Sequence, residues 1–121
     1  MISENGANTS LVYTGNQWDY PYTWAPVNYF AMKSLINISA NNMLKDTDKS
    51  LVSQALNKLN KAWINDVNAY FKINGVAVEK YDIKNPAGDV TIARGYSMDN
   101  QGFDWTNALY LMTINQKFIN K

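Results

Sequence analysis

The sequence predicts an all-α segment of about three helices joined by long functional loops. Three observations carry that expectation. Apolar residues recur at helical spacing in three stretches, helix-starting and helix-ending residues stand at the borders of those stretches, and a single short run reads as extended. Residues 1–16, rich in Asn, Ser, Thr and Gly, read as an irregular leader. The run Gln17-Trp18-Asp19-Tyr20-Pro21-Tyr22-Thr23-Trp24-Ala25-Pro26 is dense in aromatics and held by two prolines. Pro26 suits the first turn of a helix, where its missing N–H costs nothing. Val27, Phe30, Ala31, Ser34, Leu35 and Ile38 then follow at helical spacing, which places the first helix at about 26–44.

Asp46 and Asp48 are candidate caps for a second helix at about 48–73. Its apolar residues, from Leu51 and Val52 through Leu59 and Trp63 to Tyr70 and Phe71, run down one broad face. Asn74-Gly75 offers a left-handed stop. Val76 to Ile83 reads as extended, a loop with Pro86, Gly88, Gly95 and Gly102 follows, and Asp104 or Thr106 begins a last helix at about 105–119. No repeat or linker divides the chain, so 1–121 is one segment. Two long loops are more irregular structure than a compact domain of this size tolerates without function. The segment is therefore expected to pack against more protein than it contains.

Composition removes most chemistries. The chain has 121 residues, 46% hydrophobic and 17% charged, with 11 basic against 10 acidic residues and a formal net charge of +1. A near-neutral chain whose single Arg is Arg94 has no footprint for a nucleic-acid backbone. The absence of Cys and His excludes thiol nucleophiles, Ser-His-Asp triads and the usual zinc ligands. No metal-ligand spacing is present, and neither metal nor cofactor is expected. No apolar run approaches the roughly 18 residues that a membrane span needs. Residues 1–10 lack the basic and apolar regions of a signal peptide, which leaves the compartment open. Carboxylates and aromatic rings remain.

Most carboxylates have ordinary readings. Glu4 sits in a polar tail, Asp46, Asp48 and Asp104 read as caps, and Asp66 lies mid-helix on the face expected to be solvated. Asp19 differs, because Trp18, Tyr20, Tyr22 and Trp24 surround it. Flat rings beside a carboxylate suit a sugar, whose C–H face stacks while its hydroxyls bond the acid. Equally, the rings can anchor a loop to the core while Asp19 bonds backbone amides. Glu79, in Val76-Ala77-Val78-Glu79-Lys80-Tyr81-Asp82, reads by itself as half of a surface salt bridge with a Lys neighbour.

Three blocks, in order, resemble the C-terminal part of trehalases of the inverting glycoside hydrolase type. Residues 17–26 resemble that family's Q-W-D-x-P-x-x-W-x-P signature. Glu79-Lys80-Tyr81-Asp82 is similar to its E-K-Y-D or E-K-F-D block, and Gly102-Phe103-Asp104-Trp105-Thr106-Asn107-Ala108 to its G-F-G-W-T-N-G/A block. The first block is fairly specific, the others are weak alone, and their order strengthens all three. The resemblance implies the last helices of an (α/α)6 barrel and hydrolysis of α,α-trehalose to two glucoses with inversion. Inversion uses a carboxylic acid and a carboxylate base roughly 6.5–9.5 Å apart. The family's base falls on Glu79. Its general acid, an Asp upstream of the first block, matches no residue here. The resemblance further implies that Gln17, Trp18, Asp19 and Trp24 shape the sugar site, with Trp105 supporting a closing loop. The partners implied are trehalose and the N-terminal portion of the barrel, and the segment alone is expected to be inactive.

Three departures stand out. Tyr22-Thr23 replaces the Asn-Gly of many members. The 88–99 loop lacks a second Glu, so that substrate contact is lost or passes to Tyr96 or Asp99, and Asp104 stands where Gly is preferred. Two other readings stay open: a related inverting glycosidase acting on another α-glucoside, and a non-catalytic, sugar-binding helical remnant.

Overall fold

The computed structural model describes residues 2–3, 6–95 and 101–115. Two short strands, β1 (Ile2–Ser3) and β2 (Gly6–Ala7), pair antiparallel. Then come β3 (Tyr22–Trp24), α1 (Ala25–Ser39), α2 (Asp46–Asn74), β4 (Lys80–Asp82) and α3 (Asp104–Ile114). The three expected helices form and dominate the chain, joined by two small sheets, so the segment is mostly but not purely helical. The leader expected to be irregular contributes β1 and β2. Beyond Asn115, the end expected for the last helix lies outside the described residues.

α1 starts at Ala25 with Pro26 in its first turn. It ends at Ser39, short of the expected 44, and no basic residue stands in its last turn. α2 stops at Gly75, whose φ of 72° lets its N–H return 2.8 Å to the Phe71 carbonyl. Neither Asp46 nor Asp48 caps it: Lys45 holds the N-cap position, and both acids lie exposed in the first turn, where they oppose the positive end of the helix dipole. Asp104 likewise falls inside the first turn of α3 rather than at its cap, which is Phe103.

The core gathers Met32 from α1, Leu59, Trp63 and Val67 from α2, Val78 and Tyr81 from the chain around β4, and Leu109 from α3. Trp63 meets Tyr81 edge to face at 5.7 Å, and Tyr70 meets it similarly at 6.0 Å. The broad face expected on α2 is narrower than its apolar residues imply. Leu51 and Phe71 are 63% and 52% exposed among the described residues. Asp66 corrects another expectation. It is buried, 2% exposed, rather than on a solvated face. No helix among the described residues is long and apolar enough to cross a membrane.

Asn28 ties the first turn of α1 to both sheets. Its amide donates to the Thr23 hydroxyl and the Trp24 carbonyl, each at 2.8 Å, and its carbonyl accepts from Ala7 N–H at 2.9 Å. The Thr23 hydroxyl in turn donates to the Ala7 carbonyl at 2.9 Å. This buried polar knot holds the leader against the fold, so Ala7 and Asn8 are buried rather than loose.

Candidate functional site

β3 and β4 bring the first two blocks together. They pair antiparallel, Tyr22 opposite Asp82, Thr23 opposite Tyr81 and Trp24 opposite Lys80, and Ile83 N–H bonds the Pro21 carbonyl at 3.0 Å. The third block closes on the second. Gly102 N–H bonds the Ala77 carbonyl at 2.8 Å, Val78 bridges Gln101, and the Thr106 hydroxyl donates to the Val78 carbonyl at 2.7 Å. Segments more than fifty residues apart in the chain thus converge on Glu79.

Thr106 is wholly buried, and its hydroxyl is the hydrogen-bonding tie between α3 and the residue before Glu79. Thr106→Val keeps the shape but strands the Val78 carbonyl. It is expected to lower stability by about 1–2 kcal/mol, read from thermal unfolding. An unchanged melting temperature would show that this tie contributes nothing.

Glu79 is 1% exposed and its carboxylate is paired with the Lys80 ammonium, which is itself fully buried. The surface salt bridge expected from the sequence alone is therefore an interior one. The Lys80 ammonium also stands 5.2 Å from the centre of the Trp24 ring. Trp24, 2% exposed, anchors its indole N–H 2.8 Å from the Gln17 carbonyl and stacks on Trp18, ring centres 4.0 Å apart and 10° from parallel. Trp18 is 39% exposed, so the stack has one buried and one open ring. The structure therefore brings Gln17, Trp18, Trp24, Lys80 and Glu79 into one cluster.

Asp19 lies at the edge of that cluster. Its carboxylate accepts from the Thr14 hydroxyl and, at 3.3 Å, from the Asn16 amide. These side chains, Thr14 foremost, hold it below the ordinary carboxylate value and keep it ionised. Its partners are side chains rather than the backbone amides expected for a loop anchor. The Gln17 carbonyl oxygen Oε1 is buried with no hydrogen-bond partner, which leaves one acceptor in the cluster unsatisfied.

Trp105 takes a different position. It is 51% exposed, packs edge to face on Phe103 at 5.2 Å, and lines an open groove of about 620 Å³ between α1 and α3. Pro26, Tyr29, Phe30, Leu109 and Met112 complete an almost entirely apolar lining. Tyr96 and Asp99 lie outside the described residues.

Sequence reasoning missed Lys80, Thr106, Thr23 and Asn28. As polar residues they carry no signal in a hydropathy pattern. The only hint was the position of Lys80 and Thr106 inside the second and third blocks.

Comparison with known proteins agrees in one direction. A sequence model of the family described as Trehalase matches residues 1–117. The trehalase of Tenebrio molitor is 33% identical over 118 residues, covering 98% of this chain and 19% of that protein. The trehalase of Homo sapiens is 31% identical over 116 residues, 96% of this chain and 18% of that protein. The cytosolic neutral trehalase of Beauveria bassiana is 32% identical over 103 residues, 78% of this chain and 12% of that protein. The chain spans about a fifth or less of the length of these relatives.

Proposed function

The chain belongs to the trehalase family, and on that premise we propose that it supplies the general base and one wall of the saccharide site of an enzyme that hydrolyses trehalose with inversion. The observation that carries this reading is the β3–β4 pairing, which sets the Glu79 block beside the Gln17–Trp24 block. In this reading the Glu79 carboxylate takes a proton from water as the water oxygen attacks the anomeric carbon from the face opposite the glycosidic oxygen. A carboxylic acid on the other face gives its proton to that oxygen as the C–O bond breaks, so the products are two glucoses, one of them inverted. Open Trp18 stacked on buried Trp24 offers a flat face for a pyranose ring.

The acid, by this reading, comes from the remainder of a trehalase-length polypeptide and an (α/α)6 barrel. Exposed Phe30 and Trp105 in the α1–α3 groove, together with exposed Leu51 and Phe71 on α2, support packing against such a remainder.

A graft tests the proposal. Residues 1–117 replace the matching stretch of the Tenebrio molitor trehalase, and glucose release from trehalose, maltose and nigerose is followed. The graft is expected to hydrolyse trehalose, while the 121-residue chain alone releases glucose no faster than the uncatalysed reaction. A folded graft without turnover would defeat the hydrolase reading, and saccharide binding by tryptophan fluorescence in its place would favour a sugar-binding remnant.

A further inference from the structure

Two of the departures from the family pattern touch each other in space. The Tyr22 ring, 3% exposed, forms a small apolar cluster with Val90 and Ile92, and its hydroxyl donates to the Thr91 carbonyl at 2.5 Å. Tyr22 is the residue that replaces Asn in the first block. Residues 90–92 belong to the loop that lacks the second Glu. A substitution in one segment therefore supplies the anchor for the altered sequence of the other. Burial, with Tyr13 and Asp82 nearby, pushes the Tyr22 hydroxyl above the usual tyrosine value, so it remains a donor at neutral pH.

A few residues later the same loop is fastened again. Arg94 N–H bonds the Gly15 carbonyl at 2.7 Å, and Arg94 bridges Asn16. Gly95, at φ 123°, then lies directly against Gln17, where an added Cβ would stand 3.3 Å from the Gln17 side-chain carbonyl carbon. Residues 90–95 thus form a strap across the segment that carries Gln17, Trp18 and Asp19, pinned by Tyr22 at one end and by Gly15 and Asn16 at the other.

We propose that Tyr22 is a positioning residue that fixes this strap against Gln17 and thereby sets which α-linked diglucoside the site accepts. The proposal rests on the saccharide reading of the Gln17–Trp24 cluster. The Gln17 backbone carbonyl accepts from the Trp24 indole N–H, and Trp24 carries the open Trp18 ring, so the strap that holds Gln17 also sets where that sugar-facing ring stands. Trehalose and maltose present the hydroxyls of their second ring in different places because their linkages differ. Once the strap loosens, the Gln17–Trp18 segment gains freedom to follow either sugar, and discrimination falls.

Tyr22→Phe keeps the ring and removes the bond to Thr91. Arg94 is the single arginine of the chain and is exposed, so an arginine-specific protease has one site, on the strap itself. The variant chain is expected to be cut about tenfold faster than the parent, the effect of losing one buried hydrogen bond from the closed state. In the graft, the ratio of kcat/KM for trehalose over maltose is expected to fall by about tenfold. Ile92→Ala removes packing on Tyr22 from within the strap itself and gives the same two readouts if Tyr22→Phe does not fold. Unchanged cleavage overturns the strap, and faster cleavage with an unchanged sugar ratio overturns its role in specificity. A folded parent graft inert on both sugars defeats the saccharide reading and the specificity claim with it, a result separate from cleavage because the protease assay needs no sugar.

Discussion

Glu79→Gln in the graft is expected to lower kcat for trehalose by about 10²–10⁴-fold with little change in KM. Gln has nearly the size of Glu and can still bond water, but it cannot take a proton from it. The lost interaction therefore exists only as the O–C bond forms, and ground-state binding is spared. Glu79 is enclosed and paired with Lys80, so the substitution also removes one ion of a buried pair. For that reason the variant must first be shown to unfold at a temperature close to that of the parent graft. A folded Glu79→Gln graft that keeps more than about a tenth of the parent turnover would remove Glu79 from the role of base.

Asp66→Asn is expected to stabilise the chain by about 2–4 kcal/mol at pH 9 and to flatten its pH dependence. Burial alone pushes the Asp66 carboxyl from its ordinary value of 3.8 to about 8, and its Oδ2 has no hydrogen-bond partner. Below about pH 4 both folded and unfolded chains hold the proton, and the acid costs nothing extra. Between about 4 and 8 the unfolded chain has released its proton while the folded chain keeps it, so folded stability declines as pH rises. Above about 8 both are ionised and the penalty stays constant at its full size. Asn carries no titrating proton and so removes that decline. Urea unfolding of both chains from pH 4 to 9 checks it, and parallel curves would show that Asp66 does not titrate in this environment.

These two acids illustrate how unevenly the fold and site were legible. Glu79 stands out in the sequence only because Lys80, Tyr81 and Asp82 follow it in a recognisable block. Its own chemistry and spacing pointed to a surface ion pair. Asp66 reads from sequence as solvated, because a lone acid in a helix usually is and a periodic pattern registers only apolar neighbours. The helix stop at Gly75 and the start at Pro26 were legible, since each follows from a local backbone rule that needs no partner. The caps assigned to Asp46, Asp48 and Asp104 fell one or more residues inside their helices, where local sequence cannot decide between a cap and a first-turn acid.

Periodicity, prolines and ordered motifs are local or read directly along the chain, and they suffice for the three helices, the aromatic turn at 17–26 and the family. The pairing of Trp24 with Lys80, the hold of Thr106 on Val78 and the bond of Tyr22 to the 90–95 strap emerge in the folded chain alone. Each of these is a contact between residues distant in the chain, made by strand pairing or by a polar atom finding a partner in the interior. Register and buried hydrogen bonds depend on what the rest of the fold leaves unsatisfied, and no local pattern of apolar and polar residues encodes that.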